Sequence, residues 1–246
     1  MRGAEKGKVY LVGSGPGDPD LLTMRAVQLL RTADIVLHDD LVTEEVLQLV
    51  HRGATATSVG KRFGKPKITQ AGINRLMVES AHAGQSVVRL KSGDPLVFGR
   101  AAEEIAALRE AGIPFEVVPG VTAAFAAGAM LSLPLTDRQS ASKLIFCTGH
   151  YSADKLESPP IWNGPPPEDA TLVVYMPGRN LARIAQELRA AGVQGNTPCC
   201  AVSQVATARQ SYAACRLADL AELECGPAPL LLLIGRAMES LMPDPA

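Results

Sequence analysis

The sequence carries almost no excess of charge: Lys and Arg number 24, Asp and Glu 25, for a net charge of -1. A protein that grips nucleic acid over a broad face needs a basic excess, and none is present. Aromatic residues are few, at 4%, so the core must be aliphatic. No long hydrophobic run occurs. The longest near the end, Leu230 to Ile234, is far too short to span a bilayer and reads as a buried strand. The first eight residues are polar and hold no apolar stretch of the signal-peptide kind. The five cysteines form no Cys-x-x-Cys pair. They read as free thiols of a reducing cytoplasm. The four histidines form no helical ligand pair, so no metal is expected.

What is present is a globular composition, 47% hydrophobic and 20% charged. Glycine (22) and proline (18) are over-represented; together they usually make up roughly 12% of a chain. They gather in loops behind apolar segments. Strands are expected at 8–13, 34–38, 86–90 and 115–118. Helices are expected at 21–32, 43–51 (with Thr43 as its cap), 69–83, 100–111 and 121–131. This alternation implies a mostly parallel sheet covered on both faces, with the glycine-rich loops at one edge. After Pro134–Arg138 the pattern changes. Strands at 143–148, 171–176, 198–204, 210–216 and 229–235 come with helices only at 180–191 and near 218–224, which implies a mixed sheet. The expected organisation is two α/β domains, 1–134 and 135–246, with no internal repeat.

The first loop, Gly13-Ser-Gly-Pro-Gly-Asp-Pro19, departs from the Gly-x-Gly-x-x-Gly dinucleotide fingerprint. Asp18 and Asp20 would repel a pyrophosphate, and two prolines remove amide donors. No Gly-Lys-Ser/Thr follows, so a P-loop is excluded. The acidic loop suits a ligand with a positive or neutral centre. Gly-Asp-Pro recurs at 93–95, again after a strand, and Asp39 also follows a strand. Each alone reads as a turn residue; together, at one sheet edge, they mark a cleft. Lys61, Arg62, Lys91, Arg100 and Arg138 set positive charge around it, which suggests a polyanionic ligand. Lys65 and Lys67 read as solvated surface.

Three ordered motifs carry a resemblance. They are Val9-Tyr-Leu-Val-Gly-Ser-Gly-Pro-Gly-Asp-Pro19, Arg89-Leu-Lys-Ser-Gly-Asp-Pro-Leu-Val-Phe-Gly-Arg100 and Val118-Pro-Gly-Val-Thr-Ala123. With Gly60-Lys-Arg62, Thr148-Gly-His150, Val174-Tyr-Met176 and Ala206-Thr207, the chain resembles the tetrapyrrole methylases, and among them the uroporphyrinogen-III C-methyltransferases. The similarity runs from residue 8 to about 236.

The resemblance implies the two-domain tetrapyrrole methylase fold, with the active cleft between the domains, and a cytoplasmic homodimer. S-adenosylmethionine (SAM) would be the methyl donor. The implied reaction methylates two pyrrole carbons of uroporphyrinogen III, giving precorrin-2 for sirohaem and cobalamin synthesis. The substrate's eight carboxylates agree with the clustered positive charge, and the sulfonium of SAM agrees with the acidic loop. SAM contacts would come from Pro16, Ser92, Gly93, Asp94, Val97, Thr122, Ala123, Met176 and Ala206. Asp39 would accept a proton and Lys61 donate one; Arg62, Lys91 and Arg100 would face the substrate. Serine at 92 replaces the family's usual glycine, which would strain the loop if that position needed positive φ. Leu96, Ala101-Ala102 and Pro66 are further departures. They leave open a methylase of another corrin precursor, or an inactive SAM-binding regulator. The length leaves no room for an added oxidase or ferrochelatase-like domain, so a fused sirohaem synthase is not expected.

Overall fold

The five residues Val9–Gly13 form strand β1, and every one is buried. The reason lies in its alternation. In the computed structural model, which describes residues 2–60, 68–149, 164–178 and 181–242, Tyr10 and Val12 point to one face of the sheet and Val9 and Leu11 to the other. The first face packs against Ala26, Leu29 and Leu30 of helix α1 (Met24–Leu30) and Val46 of α2 (Glu44–Leu47). The second packs against Ile73 and Met77 of α3 (Gln70–His82) and Leu108 of α4 (Ala101–Glu110). Each large side chain buried in this way contributes roughly 1.5–3 kcal/mol. A strand buried on both faces must read as a continuous apolar run, and β1 does.

β1 lies in a five-stranded, wholly parallel sheet with β2 (Ile35–His38), β3 (Thr55–Ser58), β4 (Val87–Lys91) and β5 (Phe115–Val118). The strand order is β3-β2-β4-β1-β5, so β4 and β5 flank β1. The expected parallel sheet with helices on both faces is present. Two local expectations need correction. The helix expected at 21–32 is a 3-10 turn, Pro19–Leu21, capped by Asp18, followed by α1 under its own cap, Thr23. Leu22 between them is extended, at ψ 143°, which breaks the helix. Thr43 precedes α2 but makes no side-chain cap; its hydroxyl donates to the Gly17 carbonyl at 2.7 Å and so ties α2 to the first glycine loop.

The chain divides into two compact units, Met1–Thr122 and Ala123–Ala246. Helix α5 (Ala123–Met130) therefore counts with the second unit, whereas the sequence reading draws the boundary after residue 134. The second unit has its own mixed sheet, ordered β6-β7-β10-β8-β9. β6 (Lys143–Thr148) and β7 (Ala170–Tyr175) are parallel. β10 (Leu230–Ile234), β8 (Pro198–Ser203) and β9 (Ser211–Arg216) continue it antiparallel. One face is closed by α6 (Leu181–Ala190), whose Leu181, Ile184 and Leu188 meet Leu172, Val174, Ala201 and Leu232. The helix expected near 218–224 is a 3-10 turn, Leu217–Glu222, pressed into the same core by Leu217 and Leu220.

Candidate functional site

Three adjacent strands of the first unit, β4, β1 and β5, end in glycine-bearing loops, and these loops fuse. Ser14 N donates to Lys91 O at 2.7 Å. Gly15 and Gly93 then exchange both backbone hydrogen bonds, at 3.2 and 2.7 Å. Both glycines adopt positive φ, +68° and +66°. The third loop closes still nearer. A Cβ on Gly120 would lie 2.3 Å from Gly93 O, and one on Gly13 would lie 2.6 Å from the same atom. Only glycine permits three backbones to meet here. Asp94 fastens the junction: its Oδ2 accepts from Gly120 N at 3.0 Å and its Oδ1 from Leu96 N at 2.8 Å. The result is a surface of backbone amides and carbonyls at the carboxyl edge of a parallel sheet, where α/β folds take their ligands.

Several expected SAM residues border this junction. Pro16, Ser92 and Val97 are half-buried in its loops, and Thr122 is buried at the end of the β5 loop. Ser92 is not among the described residues of positive φ; Gly93 takes that conformation instead. The serine therefore sits without the strain it would suffer had position 92 been the left-handed one.

In the second unit, Met176 and Ala206 follow β7 and β8, and both have left-handed backbone, φ 50° and 55°. Tyr175 at the end of β7 pairs with Leu231, and Ser203 at the end of β8 pairs with Leu230. Both strand ends thus lie beside the start of β10, so Met176 and Ala206 share one edge of that sheet. The start of α5 is tied to the same edge by Ala124 N donating to the Tyr175 hydroxyl at 3.2 Å, which brings Ala123 there too.

Asp39 follows β2 at the carboxyl edge of the first sheet, its amide donating to Leu90 O at 3.1 Å. Its Oδ1 accepts a hydrogen bond from Arg89 Nη2. Arg89 is buried on β4, and its Nε donates to Glu104 Oε1 at 3.0 Å. Glu104, on α4, is fully buried and also takes Lys91: the ammonium stands 3.0 Å from Oε1, with hydrogen-bond geometry, and 2.8 Å from Oε2. The four side chains form one cluster of two cations and two anions.

Lys91 therefore differs from the sequence reading. It was expected among the cations open to a polyanion, but its side chain is only 3% exposed and its charge is committed to Glu104. Burial, then the neighbouring Arg89 charge, hold its pKa below the ordinary 10.5, while Glu104 opposes them. The reason is positional: Lys91 is the last residue of β4 and lies on the strand face covered by α3 and α4, two residues beyond Arg89. Arg100, by contrast, is exposed. It precedes α4 at φ 57° with its guanidinium paired to Glu103 at 2.7 Å, both about half exposed. Its hydrogen bonds keep the Glu103 carboxyl below its usual range. Lys61 and Arg62 lie outside the described residues, as do Lys65, Pro66, Lys67 and His150.

Arg89 and Glu104 are the residues that the sequence reading missed. A signal exists: two basic residues spaced i, i+2 in an otherwise apolar central strand share one buried face and require a buried counter-charge.

Comparison with known proteins places these features in context. The family model described as Tetrapyrrole (Corrin/Porphyrin) Methylases matches residues 8–221. The chain is 47% identical over 235 residues to siroheme synthase 2 of Aeromonas hydrophila, covering 95% of this chain and 50% of that protein. It is 45% identical to siroheme synthase 1 of Klebsiella pneumoniae, covering 96% and 50%. It thus spans about half the length of these curated relatives. Among solved structures, uroporphyrin III C-methyl transferase from Thermus thermophilus aligns with a TM-score of 0.81 at 39% identity, over 95% of this chain and 99% of that one. A Thermus structure complexed with S-adenyl homocysteine aligns with a TM-score of 0.80 at 39% identity, with the same coverage. A cobalt precorrin-4 methyltransferase aligns with a TM-score of 0.77 at 25% identity, over 94% and 96%.

Proposed function

This chain belongs to the tetrapyrrole (corrin/porphyrin) methylases, and from that premise we propose that it methylates two pyrrole carbons of uroporphyrinogen III, giving precorrin-2. The observation that carries this reading is the likeness to the Thermus thermophilus uroporphyrin III C-methyl transferase, which takes in nearly the whole of both chains. Membership of a family of several methylases does not by itself select the substrate; that likeness favours uroporphyrinogen III.

SAM, when bound, supplies an electrophilic methyl on a sulfonium. The glycine junction fits such a donor. A cradle that a Cβ at position 13 or 120 would fill offers backbone groups without side-chain bulk. Pro16, Ser92, Gly93, Asp94, Val97 and Thr122 would hold the donor from the first unit. The resemblance adds Ala123, Met176 and Ala206 to these contacts. Asp94 would act by keeping the loops closed through its two amide contacts.

Each transfer forms one carbon–carbon bond, breaks one sulfur–carbon bond, releases neutral S-adenosylhomocysteine and leaves the tetrapyrrole with a proton to lose. Asp39 would accept that proton and pass it to solvent; Lys61 would act as donor only in a ring proton shift, where a proton given at one atom is matched by one taken from another. Holding the pyrrole carbon in line with the methyl is the larger part of the catalysis. Arg62 and Arg100 would receive substrate carboxylates; Lys91 would serve inside the ion cluster.

Purified protein given labelled SAM and enzymatically generated uroporphyrinogen III should place two labelled methyls on each tetrapyrrole. Binding of SAM with no transfer to that substrate overturns the reading. Transfer only to a later corrin precursor would make the chain a methylase of that compound instead, and SAM binding without transfer to any tetrapyrrole would make it a regulator. The chain should act as a homodimer, so sedimentation should give a species of twice the mass of one chain.

A further inference from the structure

We infer that Arg89 is a positioning residue for the Asp39 carboxylate, anchored from behind by the buried Glu104. The inference rests on the proton-acceptor role proposed for Asp39.

The argument begins with where the arginine donors go. Nε donates to Glu104 Oε1 at 3.0 Å. Nη1 donates to Leu90 O at 3.2 Å and Leu37 O at 3.4 Å, carbonyls of two adjacent strands. Nη2 donates to Asp39 Oδ1. The guanidinium plane is therefore set by the sheet itself, and the group can rotate only by breaking several of these bonds. Only a planar fork reaches carboxylates on both of its sides; a lysine ammonium would keep the charge and lose the bridge.

Glu104 supplies the anchor. It is completely buried and receives Lys91 Nζ at 3.0 Å and Gln70 Nε2 at 3.3 Å as well as Arg89. Two cations face two anions, so the cluster buries no net charge. Removal of any member would leave a charge unmatched in a dry interior.

Asp39 is the one member that reaches solvent, with its side chain 29% exposed. Its Oδ1 is turned inward to Arg89, while Oδ2 accepts no hydrogen bond from any described residue. One oxygen is fixed and the other is presented at the carboxyl edge of the sheet. A proton-accepting group whose orientation is set by a third, immobile partner is a recurring device of acid–base catalysis. Arg89 thus acts through Asp39 and does not itself need to touch the tetrapyrrole.

The test is a double-mutant cycle in methyl transfer at saturating SAM, using Asp39→Asn, Arg89→Lys and the two combined. SAM affinity is measured alongside by calorimetry. Each single variant should lower kcat by roughly 10²-fold and leave the Kd for SAM within about threefold. The combined variant should be no slower than Asp39→Asn alone, since there is then no proton acceptor left to orient. Should Arg89→Lys fail to fold, Glu104→Asp, which withdraws the anchor by one methylene, enters the same cycle. A loss of equal factor in the wild-type and Asp39→Asn backgrounds, a parallel loss of SAM affinity, or no loss at all overturns the inference. If the wild type transfers no methyl to uroporphyrinogen III, the functional reading fails as well. If it transfers methyl but the losses are additive, only the inference fails.

Discussion

Replacing Glu104 by glutamine probes the ion cluster at its most buried point. The wild-type carboxylate is fully buried and faces two cations that are each 3% exposed. Glutamine has nearly the same shape and still offers Arg89 an acceptor, so packing is preserved and the change is one of charge. Breaking a buried pair by removing one partner costs about 3–5 kcal/mol, a large part of the roughly 5–15 kcal/mol that holds a domain folded. The loss should depend on pH. In the folded protein Lys91 is held below its ordinary pKa of 10.5 by burial and by Arg89, and Glu104 works against that lowering. Between the lowered folded value and the unfolded one, the unfolded chain binds the proton more tightly, so stability rises with pH across that window. Without Glu104 the window extends further down. Urea unfolding of wild type and variant at about pH 7 and about pH 9.5 should therefore show a deficit that shrinks at the higher pH, as Lys91 becomes neutral. Arg89 stays charged throughout, so recovery should be partial. A deficit below about 1 kcal/mol at neutral pH, or one that grows with pH, refutes the account of the cluster.

Gly120→Ala should destabilise the first unit by more than the ~1–3 kcal/mol of ordinary overpacking, because its Cβ would meet backbone at 2.3 Å rather than a yielding side chain. A variant that unfolds at the wild-type urea concentration would show that the three loops do not meet as described. Ser92→Gly restores the residue usual in the family yet should lower stability by about 0.4–1 kcal/mol, since position 92 does not use positive φ; a gain in the same assay refutes this. Burial pushes the Cys147 thiol up to about 11 and Cys200 up to about 12, and raises Cys199 further still. Iodoacetamide at about pH 8 should leave these three unlabelled in the native protein and label them in urea, read by mass spectrometry. Native labelling of Cys199 or Cys200 would refute their placement in the sheet.

The architecture was largely legible because its signals are local. Residues 9–13 and 230–234 are apolar without alternation, as strands covered on both faces must be, and they became β1 and β10. Gly84, Gly112 and Gly192 directly follow the helices expected at 69–83, 100–111 and 180–191, where a glycine marks a helix stop, and each has positive φ. Local signals failed where two short-range choices competed. Thr43 could cap α2 or reach another loop, and the Gly17 carbonyl won. The apolar spacing of 21–32 concealed Thr23, a second cap that starts the helix late. At the site, the Gly-Asp-Pro loops were found from their composition alone. Their fusion could not be, since Gly13, Gly93 and Gly120 are far apart in the chain and meet only because β4, β1 and β5 are neighbours.

The sequence by itself determined the alternation of strands and helices, the change to a mixed sheet, and which loops need glycine. These follow from side-chain periodicity and backbone φ, properties of a few consecutive residues. The tertiary structure alone decided how the charges are used. Arg89 finds Glu104 15 positions away and Asp39 50 positions away, and Lys91 is drawn inside with them. A buried charge must be matched wherever the fold brings an opposite one, and strand order, not sequence spacing, determines where that is.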